Sequence, residues 1–513
     1  MSRFTQRRQF LRHGAALTGL AASPWALNLA QLGSAEAATT TDYKALVCIF
    51  LAGGNDAHNT VVPTDAVSWR CYAGTRDPVL RAQLAGTSLS SSDASTSLAL
   101  PQSSLLSITH ANKAGLNTGR TFGLHPQLKQ IKQLYASGKA AIVANVGPLL
   151  APMAKVDALD PSFPIPAKLY SHNDQTWTWQ SFQPEGASGG WGGRLMDSLA
   201  ASNANAVFTA VGAGGSGVWL SGNTVAPFQI GAAGTVTMGG ESGTIMGNAT
   251  LHQAVRIVAN MTPSTADPFA ADLARVTTRA LSAELILKSA LSSAFMAPWG
   301  TPGASSQASD PLLKYTNPNT GASTFNPLAA QLQMVARMIA ARTNSRVGAK
   351  RQVFLVQLGG FDTHSNQLTQ HADLLAKLDH AVGYFYNALG AMPDGVNMRS
   401  MVTTFTASEF GRALMNNGDG TDHGWGGHHF VIGDAVKGAD VYGTYPQFLA
   451  FDGAGEFFSN DLLTGGVLLP NLSLDQYVYT LGKWMGVAEA NLLSVCPNIQ
   501  NFASTSRNIG FLG

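Results

Sequence analysis

Lys44-Ala45-Leu46-Val47-Cys48-Ile49-Phe50-Leu51-Ala52 runs without a polar break to Gly53-Gly54. A strand buried on both faces reads this way, and such strands belong to parallel sheets covered by helices. Further along, 140–146 (AAIVANV) and 352–358 (QVFLVQL) repeat the pattern, the latter ending at Gly359-Gly360. Shorter runs at 206–211 and 401–406 read as strands too. Between them, helical spacing marks 125–138, 191–201, 327–343, 366–389 and 475–485. In the first of these, Pro126 suits a first turn and Gly138 a stop. Strand and helix alternate at both ends of the chain, which predicts an α/β fold with a parallel-rich sheet sandwiched between helices.

The middle of the chain changes character. Residues 87–121 form a Ser/Thr/Asn/Gly-rich excursion, and 212–250 are dense in Gly, Ser and Thr with short β-like runs. Residues 251–295 read as largely helical and 298–326 as a long loop. A single domain over 38–513 with a β-rich insertion at about 212–326 is the expectation.

The N-terminus has a charged start carrying Arg3, Arg7, Arg8 and Arg12, a mildly apolar middle, and Ala35-Glu36-Ala37 as a small-x-small cleavage site. Arg7-Arg8-Gln9-Phe10-Leu11 resembles the twin-arginine export consensus. A periplasmic or secreted protein is expected, handed to the twin-arginine machinery already folded, with residues 1–37 as its signal and no membrane span after their removal. Their loss removes four arginines and one glutamate, so formal net charge falls from +2 to −1. Nothing then argues for nucleic acid as a partner. Charged residues make up 12% of the chain, against about 25% in typical soluble proteins, so any polar cluster inside it stands out. The three cysteines, Cys48, Cys71 and Cys496, form no disulfide framework; Cys48 reads as a buried thiol, and Cys71 could pair with Cys496.

Polar residues gather where the strands end, which is where parallel sheets carry their chemistry. Gly53-Gly54-Asn55-Asp56-Ala57-His58 follows the first strand, and Gly359-Gly360-Phe361-Asp362-Thr363-His364 follows the strand at 352–358. Ser408-Glu409-Phe410-Gly411-Arg412 follows the strand at 401–406, and Thr421-Asp422-His423 and His428-His429 come soon after. Tyr170-Ser171-His172-Asn173-Asp174-Gln175 adds a further group. Asp and His together suit a divalent metal, and glycines permit the tight turns that aim ligands inward. Plainer roles compete with this. Asp362 suits a helix cap, Glu409 and Arg412 a structural ion pair, and Ser171 an ordinary loop.

The segments GGNDAHNTVVP (53–63), SHNDQ (171–175), GGFDTH (359–364), SEFGR (408–412) and GTDHG (420–424) resemble the bacterial family known as domain of unknown function 1501. More distantly the pattern is similar to the alkaline phosphatase and sulfatase superfamily, which implies an alkaline-phosphatase-like fold. That resemblance implies one or two divalent ions, among which zinc, manganese and calcium are not distinguished. It makes Ser171 the nucleophile and places Asp56, Asp362, His364, Asp422, His423 and His428 on the metals. In a second register Glu409 replaces the aspartate of the Asp-His pair, His423 becomes the late histidine, and one metal is lost. His371 is an alternative ligand.

The expected activity is therefore metal-dependent hydrolysis of phosphate or sulfate esters, small-molecule or glycan. Ser171 attacks, and Arg412 or His58 stabilises the developing charge. The alternative is a non-catalytic binding or cell-envelope assembly protein on the same fold. No Gly-x-Ser-x-Gly elbow surrounds Ser171, and no GxGxxG follows the first strand.

Overall fold

Nine strands form the central sheet of the computed structural model, which describes residues 43–87, 97–234, 244–245, 248–259, 267–448 and 459–513. In chain order they are β1 (Lys44–Ala52), β2 (Ala140–Gly147), β3 (Ala210–Gly212), β4 (Phe228–Gln229), β5 (Arg351–Gly359), β6 (Val402–Ala407), β7 (Gly427–Ile432), β8 (Val441–Tyr442) and β9 (Leu472–Ser473). The order across the sheet is β8-β2-β7-β6-β1-β5-β3-β4, with β9 lying beside β2 as well. All pairings are parallel except those of β7, which runs antiparallel to both β6 and β2.

β1 shows why its sequence is apolar throughout. Ala45, Val47, Ile49 and Leu51 enter the core on one face, and Leu46, Cys48 and Phe50 the core on the other. Helices α3 (Pro327–Ala340) and α4 (Gln367–Leu389) cover the first face. Side chains of α1 (His172–Ser181), α2 (Trp191–Asp197) and α5 (Leu474–Met485) build the core on the second. Asn326 and Ser473 cap α3 and α5 with their side chains. At roughly 25 cal/mol per Å² of apolar surface removed from water, burial on two faces is the main term holding such a sheet.

Register fixes the site. Ala52 pairs with Gly359, and Phe50 pairs with Ala407. Three neighbouring parallel strands therefore end side by side, and the segments beginning at Gly53, Gly360 and Ser408 leave the same edge together.

Several elements depart from their expected bounds. The helix expected over 125–138 begins at Lys129, because the Asp379 carboxylate of α4 accepts from the Gln130 and Ile131 amides and sets its first turn. α2 stops at Asp197, whose carboxylate takes the Asn223, Thr224 and Val225 amides. The strand expected over 206–211 is a 3-10 turn at Ala206–Phe208, capped by Asn205, before β3. Among the described residues the Gly/Ser/Thr-rich stretch carries no sheet of its own: Phe228–Gln229 joins the main sheet as its edge. The region 298–326 holds a short hairpin, Lys314–Thr316 with Ser323–Phe325. All three cysteines are buried and free; Cys71 and Cys496 lie in the cores on opposite faces of the sheet, which rules out their pairing. The signal expected over 1–37 lies outside the described residues. Among those described, no helix is long and apolar enough to cross a membrane.

Candidate metal centre

The turn after β1 is tied to its neighbours by backbone groups. The Gly53 amide donates to Glu409 Oε1 at 2.7 Å, Arg412 Nη1 donates to the Gly53 carbonyl at 3.1 Å, and the Asn55 amide donates to Ser408 Oγ at 2.9 Å. Gly53 has φ +116°, and a Cβ there would lie 2.3 Å from the Asp362 amide nitrogen. Only glycine lets the two turns approach this closely.

Four side chains meet above these turns. Asp362 Oδ1 lies 3.3 Å from His172 Nε2, 3.0 Å from His364 Nε2 and 3.3 Å from His423 Nε2. His364 Nε2 and His423 Nε2 are 2.9 Å apart. Arg412 Nη1 holds the same Asp362 oxygen at 2.8 Å. Burial opposes ionisation of Asp362, but the Arg412 hydrogen bond and charge outweigh it and hold its carboxyl below the ordinary range.

Outer partners settle which imidazole nitrogen faces the centre. His172 Nδ1 is 3.0 Å from Glu409 Oε1, and His423 Nδ1 is 2.7 Å from the Tyr170 carbonyl oxygen. Both acceptors require a proton on Nδ1, so each neutral ring turns an Nε2 lone pair inward. The hydrogen bond to Glu409 raises the pKa of His172, while burial lowers that of His423. His172 Nε2 is buried and makes no hydrogen bond; its approach to Asp362 is a charge contact without hydrogen-bond alignment. Lone pairs facing one carboxylate oxygen repel unless a proton or cation lies between them. Ligands about 2.0–2.1 Å from one tetrahedral ion stand about 3.3 Å from each other, close to the spacings found here. His172, Asp362 and His423 each offer one ligand atom within 4.8 Å of the others, and His364 Nε2 adjoins Asp362 and His423. Two imidazoles and a carboxylate, with a third imidazole beside them, suit a divalent metal by chemistry.

The structure brings together Asp362, His364, His423 and Arg412 of the residues singled out in the sequence. Glu409 stands behind His172, and Asp422 lies outside His364, its Oδ1 3.6 Å from Nδ1 and taking Asn417 Nδ2 at 2.8 Å. Ser171 caps α1: its Oγ donates to Asp174 Oδ2 at 2.9 Å and accepts from the Asp174 amide at 3.4 Å.

Asp56 lies elsewhere, fully buried, gripped by Arg76 Nη1 and Nη2 at 2.5 and 2.9 Å and by Gln367 Nε2 at 2.6 Å. Burial would raise its pKa, yet Arg76 overrides this and holds it well below the carboxylate range. His58 is buried with Nε2 3.3 Å from the Gly466 carbonyl oxygen. His428 is buried against Tyr445, its Nδ1 accepting from the Asn145 amide at 2.9 Å. His371 is buried with Nε2 3.0 Å from Asn55 Oδ1. A cavity of about 230 Å³ lined by Leu149, Ile165, Thr178, Phe182 and Asp475 includes none of the clustered side chains.

His172 is the member that the sequence motifs passed over in favour of its neighbour Ser171. Its adjacency to Ser171 is the only local signal; its pairing with Glu409 spans 237 positions. No curated protein matches the chain. A family model described as protein of unknown function (DUF1501) matches residues 43–495, and the chain belongs to that family.

Proposed function

We propose that this protein is an exported, metal-dependent hydrolase of phosphate or sulfate esters, with one divalent ion held by His172, Asp362, His364 and His423 and with Ser171 as nucleophile. The observation that carries the reading is the meeting of three imidazole nitrogens on Asp362 Oδ1 at 3.0–3.3 Å. The alkaline-phosphatase-like fold is part of the proposal; a mostly parallel sheet with a polar cluster at its strand ends is what supports it.

When bound, the ion would supply Lewis-acid polarisation of the ester oxygen and offset charge developing there. The chain's own residues do the rest. Glu409 and the Tyr170 carbonyl hold the His172 and His423 tautomers, and Arg412 keeps Asp362 ionised. Ser171 adjoins His172, and its hydroxyl already donates to Asp174. As Ser171 Oγ bonds to phosphorus or sulfur its proton passes to Asp174, the bond from that atom to the ester oxygen breaks, and the departing alcohol takes the proton from Asp174. Water then cleaves the seryl ester to release phosphate or sulfate. One ion is favoured over two because Arg76 and Gln367 already occupy the Asp56 carboxylate.

Metal analysis of the exported protein, with hydrolysis of p-nitrophenyl phosphate and sulfate, tests this. About one divalent ion per chain is expected, with activity abolished by chelation. Ser171→Ala should lose at least about 100-fold in rate, and His172→Ala should lose the metal. A folded, exported protein that takes up no divalent ion rejects the proposal. Export is checked separately: replacing Arg7 and Arg8 by lysine should leave the chain in the cytoplasm.

The capping bonds of Ser171 favour a second reading, in which the centre serves binding in envelope assembly. Metal bound without turnover of either ester, and unchanged by Ser171→Ala, selects it.

A further inference from the structure

We infer that Gln367 and Thr421 are positioning residues for this centre, an inference that rests on the metal reading above. An unbroken chain of hydrogen bonds joins the buried Asp56–Arg76 pair to Asp362. Gln367 Nε2 donates to Asp56 Oδ2 at 2.6 Å, and Thr421 Oγ1 donates to Gln367 Oε1 at 2.6 Å. Arg412 Nε donates to Thr421 Oγ1 at 3.2 Å, and Arg412 Nη1 donates to Asp362 Oδ1 at 2.8 Å. Gln367, Thr421 and Arg412 are all fully buried.

The direction of every link follows from its ends. Ionised Asp56 only accepts, so the Gln367 amide must turn its NH2 toward Asp56 and its oxygen toward Thr421. Arg412 only donates, so the Thr421 hydroxyl must accept from it and give its own proton to Gln367. No other arrangement satisfies all four groups, and leaving one unmet in this dry setting is costly. The chain thus fixes the plane of the Arg412 guanidinium, whose Nη2 also donates to the Thr421 carbonyl.

Placement gives the chain its effect. Gln367 opens α4 three residues after His364, and Thr421 sits two residues before His423 in the hairpin Arg412–Asn416 with Thr421–His423. The Thr421–Gln367 bond joins the segments carrying these two imidazoles, while Arg412 orients the carboxylate between them. Thr421 and Gln367 touch no ligand atom position; they act through Arg412, His364 and His423.

The test uses the full chain with Thr421→Val and Thr421→Ser, read by Co²⁺ titration through its visible absorption and by crystal structures of the metal-free variants. Thr421→Val should bind Co²⁺ about tenfold more weakly, the lower end for outer partners of metal ligands, with an altered absorption band. Its metal-free structure should show Arg412 turned away from Asp362. Thr421→Ser, which keeps the hydroxyl, should restore both. Wild-type Co²⁺ affinity and an unmoved Arg412 in Thr421→Val overturn the inference, as does a serine variant impaired like the valine one. If the wild-type chain takes no Co²⁺, the metal reading fails by itself, and the metal-free structures still decide whether the chain positions Arg412. Gln367→Met breaks the chain one link earlier and reads the same quantities where Thr421→Val does not fold.

Discussion

Asp56 and Asp362 follow neighbouring parallel strands by a few residues, and their surroundings give them different work. Asp56 is sealed from water and held by both arms of Arg76, whereas Asp362 stands half exposed beside three imidazoles. Breaking a buried pair leaves one charge without a partner, at a cost of about 3–5 kcal/mol. Arg76→Met should therefore lower stability by about that amount in urea unfolding. Asp56→Asn, if assayed where it stays folded, should still take up about one ion per chain, with affinity weakened no more than in Gln367→Met, since Asp56 acts only through Gln367; complete loss of metal there would place Asp56 in the centre after all. Both aspartates sit in similar Gly-Gly-x-Asp settings, so their spacing to the strand carries no hint of this division. The deciding residue is Arg76, twenty positions on, inside an unremarkable helix, Ala66–Arg76. Asp362, His364, His423 and Arg412 were legible because a sparsely charged chain concentrates such groups at strand ends. His172 was not, because its role depends on a ring orientation set by Glu409 and Asp362 from distant turns.

Elements buried on both faces announce themselves. β1, β2 and β5 are long apolar runs because neither face meets water, and their observed bounds lie within a residue or two of those expected. β3 and β4, of three and two residues, are too short to show a period and exist through pairing with β5 and with each other. The helix Lys129–Ala136 likewise starts where a carboxylate from α4 caps it, which local sequence does not contain. The turns that end the strands are less tolerant than the strands themselves. At Gly53 a Cβ would fall 2.3 Å from the Asp362 amide, on a backbone at φ +116° that other residues rarely adopt. Gly53→Ala must therefore push the Asp362 turn outward. We expect a loss of about 1–3 kcal/mol in denaturant unfolding together with weakened metal binding. Wild-type metal affinity in this variant would mean that the two turns are not rigidly coupled.

At the scale of the whole molecule, the two-sided core encloses five neutral imidazoles, and this gives stability a direction with pH. Burial lowers His58, His125 and His429 to about 3 and His371 to about 4, and pushes His428 well below its ordinary value. Unfolded, each titrates near about 6.5. Above that pH both states are neutral and these groups contribute no slope. Below it the unfolded chain binds protons that the native protein refuses, so stability falls as pH falls. Two buried carboxyls act against this trend: burial raises Asp379 and Asp475 to about 6, so near pH 5 the native state holds two protons that the unfolded chain has released. His172, raised by Glu409, is protonated in both states near pH 5 and adds no slope there. The net difference of about three protons gives a limiting slope of roughly 4 kcal/mol per pH unit near pH 5. Against a total stability of about 5–15 kcal/mol, that slope should bring cooperative unfolding into reach around pH 4–5, and urea midpoints should drop steeply from pH 6.5 to 5 while staying nearly level from pH 7 to 8. Replacing His429 by glutamine should flatten the acid limb by about 1.4 kcal/mol per pH unit. An unchanged slope would mean that His429 is already protonated in the native core.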